Sequence, residues 1–422
     1  MRLKGARIIS IFTVLCFVVT LNVFTAANPA HGTQQGMNIV VPDPLKTGDK
    51  VAIAAPARSA ANLTSERFEA IVEFLTEKSF DVVISDDMFI ETPLDVGDGT
   101  EEIRAAAFNK LVRDPEIKAI FCIRGGYASM HLLPLLDYAA MRENRPIIVG
   151  YSDITAMQTA ILQNAGLITF HGPMLSSNYG QDESFDLLFD MLMNKLEEPL
   201  TSFPLENIDG TEFSVINEGV AEGVIAGGNM TLISALMGTP YEIDLREKIL
   251  FIEELEEPPY RLHSYIWQLK LTGKLDQVAA IVVGDILPKN GIHLQVILEA
   301  LRTVNVPILH GVRAGHDGNP FTIPIGATVR IEGNKMSVIR LGTEEPIEVS
   351  IVDGKVEIRN NTDEFFSTKG YYLTDDTSEW VLPVVLIRAG ETVTIGGGKR
   401  VRIDLTDVDE VWLVLESKNL SS

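Results

Sequence analysis

The sequence predicts an α/β protein with a mainly parallel N-terminal sheet and flanking helices. Strand-length apolar runs alternate with helical periodicities through the first half of the chain, and this alternation is typical of parallel sheets. A smaller segment of mixed strands and helices follows. After Gly342 the pattern changes to short runs separated by turn signals. We therefore predict two joined α/β segments and a small all-β module.

The first 27 residues have the features of an export signal. Arg2, Lys4 and Arg7 precede the apolar run Ile8–Phe24, and Ala27 ends a small-residue cleavage site. An uncleaved anchor is the alternative, because the run approaches the ~20 residues of a spanning helix. The remaining boundaries are an N-terminal α/β domain at 41–205, a second domain at 219–341 and the all-β module at 342–422. The sequence predicts an exported protein with no other membrane association.

The charge of the chain argues against two kinds of partner, and its cysteine content indicates how the protein is stabilised. The chain has 35 basic and 58 acidic residues and a net charge of −23, which argues against nucleic acid and anionic lipid surfaces. Cleavage after Ala27 would leave Cys122 as the only cysteine, so core burial must stabilise the exported protein. A homodimer is compatible with these features.

The elements of the first domain alternate in order along the chain. Strands are predicted at Lys50–Ala55, Phe80–Ser85, Ile117–Ile123, Pro146–Val149 and Leu167–Phe170, and helices at Leu63–Lys78, Ile103–Val112, Met130–Tyr138 and Ile154–Ala165. Parallel sheets place their sites at the carboxyl ends of strands. Three polar or glycine-rich loops occur there, namely Arg124–Ser129, Gly150–Asp153 and His171–Pro173.

The elements of the second domain and of the C-terminal module (the tail) are predicted from the same patterns. The second domain is predicted to contain strands at Lys248–Ile252, Ala279–Val283 and Pro307–His310, helices at Met230–Met237 and Leu294–Thr303, and the loop Ala314–Pro320. In the tail, strands are predicted at Val356–Ile358, Tyr371–Leu373, Val381–Leu386, Thr392–Ile395 and Val411–Leu415. The stretch VEIRNNTDEFFSTKGYYLTDD resembles part of a lamin-tail β-sandwich.

Ser129 is a candidate nucleophile because it follows a strand and a Gly-Gly turn and precedes a helix. Such a junction can expose a serine hydroxyl and aim backbone N–H groups at its target. Gly126 and Met130 would supply those N–H groups. The alternative is that Ser129 only caps the helix. Ser152, in the GYSD loop, is the next candidate.

Acid–base candidates come from the second domain. His316 lies in a glycine-flanked loop, and Glu253 follows directly on an apolar strand, although it also begins an acidic run with Glu254. Further side chains border the predicted cleft and are candidates for substrate contacts: Tyr127, Ser152, Asp153 and His171. Asp153 has an alternative role as a helix cap.

No cofactor is predicted from the sequence. The histidines lack metal-ligand spacing and Cys122 is isolated, so we expect no zinc site. Gly227-Gly228-Asn229 precedes a helix but lacks the lysine and the spacing of phosphate-binding loops.

Six motifs in register resemble the LD-carboxypeptidases and the related microcin C immunity peptidases. These are IRGGYASMHLLPLLD, GYSDITAMQTAI, TFHGPM, GGNMTLISALMGTPYEID, ILFIEELEEPPYRL and GHDGNP. The resemblance, over roughly residues 44–341, implies an N-terminal α/β domain joined to a smaller domain. It also implies a Ser–Glu–His triad in that chain order, which falls on Ser129, Glu253 and His316.

The implied reaction is hydrolysis of a bond between an L-centre and a D-amino acid in a small peptide or muropeptide. The export signal and the β module depart from the usual family member. Three functions therefore stay open: a peptidoglycan-trimming carboxypeptidase, a detoxifying peptidase or amidase of the immunity branch, and a non-catalytic surface-binding protein.

Overall fold

The computed structural model describes residues 38–90, 100–178, 180, 182–196, 202–289 and 291–342, and separate strands beyond residue 346. The predicted export signal at 1–27 lies outside these residues. Within them, no helix combines the length and apolarity needed to cross a bilayer.

The first sheet is a parallel sheet with one antiparallel edge. Its described strands run in the order β12-β5-β4-β3-β1-β2. Their bounds are β1 Lys50–Ala54, β2 Asp81–Ile84, β3 Ile117–Cys122, β4 Ile147–Gly150, β5 Thr169–His171 and β12 Ile323–Ile325. Only β12 pairs antiparallel, with β5. Successive residues of β1 enter different apolar clusters, Val51 and Ile53 on one face and Ala52 and Ala54 on the other, so both faces are covered.

Helices connect these strands. They are α1 Ser65–Glu77, α2 Glu101–Arg113, α3 Tyr138–Asn144, α4 Thr155–Asn164 and α5 Asp182–Asp190, followed by a π-helical turn at Met191–Lys195. Helices α1, α2 and α4 coincide with predicted helices, whereas α3 and α5 were not predicted from the sequence. The predicted helix Met130–Tyr138 is different. It is a 3₁₀ helix at Ser129–Leu135 with Pro134 inside it, because proline removes a backbone donor and opposes a continuous α-helix.

The second sheet is mixed, with a parallel centre. The order of its strands, as far as the structure describes them, is β6-β14-β13-β8-β9-β10-β11-β7. The strands are β6 Phe203–Leu205, β7 Ser214–Asn217, β8 Val220–Asn229, β9 Ile249–Leu255, β10 Ala280–Leu287, β11 Ile308–His310, β13 Thr328–Glu332 and β14 Lys335–Arg340. Strands β8 to β11 are parallel to one another. The helices of this part are α6 Met230–Leu236, α7 Pro259–Leu271 and α8 Ile292–Leu301.

The two predicted domains exchange strands. β6 belongs by sequence to the first segment but pairs with β14 in the second sheet, whereas β12 follows the His316 loop and joins the first sheet beside β5. Gly228 also lies against Thr155 of α4, where a Cβ on the glycine would come within 2.5 Å of the threonine hydroxyl. The two strand exchanges and the Gly228–Thr155 contact therefore hold the two sheets together.

The C-terminal segment is all-β where it is described. Its strands are β15 Ile347–Val352, β16 Lys355–Asn360, β17 Phe366–Ser367, β18 Tyr371–Thr374, β19 Glu379–Val381, β20 Leu386–Ile387, β21 Thr392–Ile395 and β22 Trp412–Leu415. They form small antiparallel groups, such as β15-β16-β21. The residues between these strands are outside the described ranges.

Candidate active site

The candidate site lies where the carboxyl ends of strands from both sheets meet. The loops after β3, β4 and β5 come from the first sheet, and the end of β9 and the loop after β11 come from the second. Tyr151, after β4, contacts His316, after β11, with ring centroids 4.8 Å apart. This edge is the expected place for a site in parallel sheets.

Ser129 is a structural residue in this arrangement. It is fully buried, its hydroxyl donates to the Asp153 carbonyl oxygen (2.6 Å), and its N–H donates to Asp153 Oδ2 (2.8 Å). It is also the first residue of the 3₁₀ helix and not its cap, since the left-handed residue before that helix is Ala128. A hydroxyl that is buried and already donating cannot be presented to a substrate, so the structure argues against Ser129 as the nucleophile.

Ser152 has the geometry that was expected of Ser129. It lies two residues after β4 and begins the 3₁₀ turn that leads into α4. Its φ is +62°, a strained value for a serine, and it is partly exposed. A nucleophile held on a sharp, strained strand-to-helix turn is the arrangement of a nucleophile elbow. The structure therefore favours Ser152.

Gly125 shapes the space around Ser152. A Cβ on Gly125 would lie 2.9 Å from Ser152 Cβ, 3.2 Å from its Oγ and 3.4 Å from the Asp153 nitrogen. Only a glycine allows the β3 loop to approach this closely. The backbone of the Gly-Gly turn and the Asp153 N–H thus border the hydroxyl. Met130 follows Ser129 in the 3₁₀ helix, so its proposed N–H role depended on the Ser129 assignment and is not supported.

Glu253 and His316 form a buried pair. His316 Nδ1 lies 2.6 Å from Glu253 Oε2, and the glutamate is fully buried. Burial lowers the pKa of His316, but the charge and hydrogen bond of Glu253 outweigh it and leave the pKa above its ordinary value. With Glu253 ionised, Nδ1 carries the proton and Nε2 keeps its lone pair.

Glu254 points to the other face of β9 and holds the second domain together. Its carboxylate accepts hydrogen bonds from Asn229 Nδ2 (2.8 Å), the Thr231 N–H (2.8 Å) and the Thr231 hydroxyl (2.9 Å). Successive side chains of a strand point to opposite faces, so only one of the two glutamates can reach His316. The structure assigns that contact to Glu253.

Asp285 contacts the loop that carries His316 on both sides of the histidine. The Asp285 N–H donates to the Ala314 carbonyl (3.2 Å), and Oδ2 accepts from the Asp317 N–H (3.3 Å). Between them, a Cβ on Gly315 would come within 2.8 Å of Glu253 Oε2. Burial raises the pKa of Asp285 to about 7, although Lys289 opposes the shift. Asp285 also borders a cavity of about 390 Å³ at the ends of β10 and β11.

His171 lies beneath the site, away from open solvent. It packs between Phe251 (ring centroids 5.0 Å) and Tyr151 (5.8 Å), and its exposed fraction is 1%. Burial lowers its pKa to about 4, although the charge of Glu253 opposes the shift, and His316 lowers it further. His171 is therefore neutral near pH 7 and supports Tyr151 from behind. The expectation that it contacts substrate is not supported, because the ring is covered.

We predict that His171 makes the protein acid-sensitive. A histidine with a folded pKa near 4 and an unfolded pKa near 6.5 stabilises the fold above the higher value, and this contribution is lost as pH falls toward the lower one. Between pH 7 and pH 5 this loss should lower the free energy of unfolding by about 2 kcal/mol. Urea unfolding at both pH values should show that the free energy of unfolding falls less from pH 7 to pH 5 in His171→Phe than in the wild type. His263→Phe, at an exposed position, is the control, and equal losses in wild type and His171→Phe would refute the prediction.

The remaining sequence candidates have mixed outcomes. Tyr127 is 45% exposed and its ring contacts His131 at 5.5 Å, so its ring is accessible and its substrate contact stays a prediction. Asp153 is buried, and its carboxylate binds Ser129 and not the N-terminus of α4. Burial raises the pKa of Asp153 against the hydrogen bonds from Ser129. Asp153 is therefore a link between the β3 and β4 loops.

Two contributors were not found from sequence. Tyr151 positions the β4 loop against His316, and Asp285 holds the His316 loop. Tyr151 directly follows the buried strand β4, and Asp285 lies near the carboxyl end of β10. Among the residues that the structure describes, no group of three or more His, Cys, Asp or Glu side chains is arranged to hold a metal ion.

Sequence comparison finds one family over both halves of this site. The LD-carboxypeptidase N-terminal domain matches residues 51–172, and the LD-carboxypeptidase C-terminal domain matches residues 222–331. A probable murein peptide carboxypeptidase of Bacillus subtilis is 34% identical over 312 residues, which are 72% of this chain and 95% of the relative. The microcin C7 self-immunity protein MccF of Escherichia coli is 30% identical over 325 residues, with coverages of 70% and 94%.

Solved structures give the same relationship. MccF in complex with aspartyl sulfamoyl adenosine aligns with a TM-score of 0.63 and 28% identity, covering 72% of this chain and 99% of that one. The muramoyltetrapeptide carboxypeptidase of Oxalobacter formigenes aligns with a TM-score of 0.57 and 26% identity, covering 68% and 97%.

Proposed function

Because the chain belongs to the LD-carboxypeptidase family, we propose that it is a serine peptidase that hydrolyses an L,D-peptide bond. The substrate is a cell-wall muropeptide, and the product is its terminal D-alanine. The observation that carries the proposal is the buried Glu253–His316 pair at 2.6 Å beside the strained Ser152 turn. A related murein peptide carboxypeptidase and a muramoyltetrapeptide carboxypeptidase of the same fold support the choice of substrate.

In the proposed mechanism Ser152 attacks the scissile carbonyl carbon. His316 Nε2 accepts the hydroxyl proton as the new C–O bond forms, and then gives it to the leaving amine as the C–N bond breaks. Glu253 keeps Nδ1 protonated and stabilises the imidazolium. Water, deprotonated by His316, then hydrolyses the acyl-enzyme. These steps need no cofactor.

The developing oxyanion would be stabilised by backbone donors at the two loops that border Ser152. The Asp153 N–H follows the nucleophile and begins the turn into α4, where the helix dipole favours negative charge. The second donor would come from the Gly125–Gly126 turn, since Gly125 approaches Ser152 closely. Gly126 therefore remains a candidate N–H donor to the oxyanion, but for a reaction at Ser152 and not at Ser129.

The alternative is a peptidase or amidase that detoxifies a peptide antibiotic. The observation in its favour is the higher TM-score to MccF, 0.63 against 0.57, together with the ligand in that MccF structure, aspartyl sulfamoyl adenosine. We also propose, from the basic residues and apolar run of the first 27 residues, that the protein is exported and acts on wall fragments outside the cytoplasm.

One assay distinguishes the two proposed functions. Purified protein is incubated with a muramyl tetrapeptide ending in D-alanine and, separately, with aspartyl sulfamoyl adenosine, and products are followed by mass spectrometry. We expect D-alanine release from the tetrapeptide and little change in the second compound. Release of aspartate from the sulfamoyl compound, with an unchanged tetrapeptide, would favour the immunity-type function instead.

A further inference from the structure

We infer that Arg58 binds the free α-carboxylate of the residue that leaves the substrate. The inference rests on the proposed function and adds the group that makes the enzyme act only at a C-terminus. A carboxypeptidase must recognise a terminal carboxylate, and an arginine guanidinium matches that group with two parallel hydrogen bonds.

The charge of the site creates the need for such a cation. The chain has a net charge of −23, and the buried Glu253 carboxylate lies directly behind His316. An anionic substrate end would be repelled there without a local positive charge. The carboxylate must also lie close to the nucleophile, because it is separated from the scissile carbon by only an N–Cα–C connection, roughly 3–4 Å.

Two consecutive glycines pack against Ser152 and Arg58, one against each residue. A Cβ on Gly125 would touch Ser152, and a Cβ on Gly126 would come within 2.7 Å of Arg58 Cδ and 2.8 Å of its Cγ. The Cα atoms of neighbouring residues are about 3.8 Å apart. The arginine stem therefore packs on the second glycine of the turn whose first glycine lies against the nucleophile.

The backbone holds Arg58 at this place. Arg58 follows β1, whose carboxyl end lies beside that of β3. The buried Arg104 donates from Nη1 to the carbonyl oxygens of Pro56 (2.8 Å) and Ala57 (3.2 Å). After Arg58, the Ala60 N–H donates to the Met88 carbonyl (2.7 Å). The loop is thus fixed on both sides of the arginine, as a preorganised binding group requires.

Other cations near the cleft occupy other positions. Arg124 precedes the same turn, but its Nη1 donates to Asn62 (2.7 Å). Lys289 lies on the side of the His316 loop, where it contacts Asp317, and Arg313 pairs with Asp209 at 2.7 Å. Of these four cations, Arg58 is the one whose stem packs against Gly126.

The test compares two substrates that differ in one group. The first is a muramyl tetrapeptide with a free D-alanine carboxylate, and the second is the same peptide ending in D-alaninamide. We measure kcat/KM for both with wild type, Arg58→Gln, Arg58→Lys, Arg124→Gln and the distant surface variant Arg302→Gln. The wild type should prefer the free acid by at least about 10-fold, since charge-assisted hydrogen bonds are stronger than neutral ones.

Arg58→Gln should reduce kcat/KM for the acid about 10- to 100-fold and leave the amide nearly unchanged. Arg58→Lys, which keeps the charge, should retain part of the preference and is the variant to use if Arg58→Gln does not fold. Arg302→Gln should match the wild type.

Two results would overturn the inference while the proposed function stands: wild type that hydrolyses acid and amide equally, or a preference that is lost in Arg124→Gln and kept in Arg58→Gln. If the wild type hydrolyses neither peptide and Ser152→Ala binds neither by calorimetry, the proposed function fails and the inference fails with it.

Discussion

Ser152→Ala should reduce kcat/KM for muropeptide hydrolysis by about 10³-fold or more while leaving the thermal unfolding curve almost unchanged. Removing the nucleophile stops acyl transfer, and the residues of a catalytic triad act as a unit, so the remaining groups preserve little of the rate. Ser152 is partly exposed, and removing a side-chain atom outside the buried core usually changes stability little. Steady-state kinetics and differential scanning calorimetry on both proteins give the comparison.

Ser129→Ala is the matched control for this experiment. It deletes a buried hydroxyl that donates to the Asp153 carbonyl, so it should cost about 1–2 kcal/mol of stability. Its kcat/KM should stay within about 10-fold of the wild type, because the hydroxyl takes no part in the proposed chemistry. If the rates of the two variants were interchanged, the nucleophile would be Ser129 and the proposed elbow at Ser152 would be wrong.

Glu253→Gln should lower kcat/KM on the order of 10²- to 10⁴-fold, because an amide no longer fixes the tautomer of His316 or stabilises its imidazolium. It should also change the pH profile. The Glu253 charge raises the His316 pKa, and His316 must be neutral to accept a proton. The acidic limb of kcat/KM should therefore move to lower pH in the variant.

Glu254→Gln separates this effect from a structural one. Glu254 accepts several hydrogen bonds from Asn229 and Thr231, so its replacement should reduce stability. The acidic limb of kcat/KM should move less than it does in Glu253→Gln, since the charge and hydrogen bond of Glu253 raise the His316 pKa more than the charge of Glu254 does. A shifted acidic limb in Glu254→Gln, with none in Glu253→Gln, would reverse the two assignments.

The sequence predicted the layout of the site better than the identity of its nucleophile. Hydrophobic runs identified β3, β4 and β9 and placed polar loops at their ends, and the glycine-flanked loop predicted His316. Ser129 and Ser152 both follow a strand and precede a helix, so pattern alone did not separate them. The distinction depends on the positive φ of Ser152 and on the burial of Ser129 against Asp153. One signal was available, because Gly150-Tyr151-Ser152 matches the first half of a G-x-S-x-G elbow.

Other features depend on long-range contacts that local sequence does not encode. Glu253 and Glu254 are the same residue type at adjacent positions of one strand. Only the orientation of β9 decides which of them faces His316. The strand exchange of β6 and β12 joins segments more than 100 residues apart. The glycines at 227 and 228 were compared with a phosphate loop, but a Cβ on Gly227 would lie 2.0 Å from the Phe251 carbonyl oxygen. They are therefore required by close backbone packing.

The most direct test of the central claim is covalent labelling with a serine-directed fluorophosphonate, followed by peptide mapping. The nucleophile of a serine hydrolase is modified because its hydroxyl is both exposed and activated by a neighbouring base. We predict stoichiometric modification of Ser152 in the wild type, and its loss in His316→Ala and Glu253→Gln. Modification at Ser129, or labelling of Ser152 that is indifferent to His316, would contradict the proposed active site.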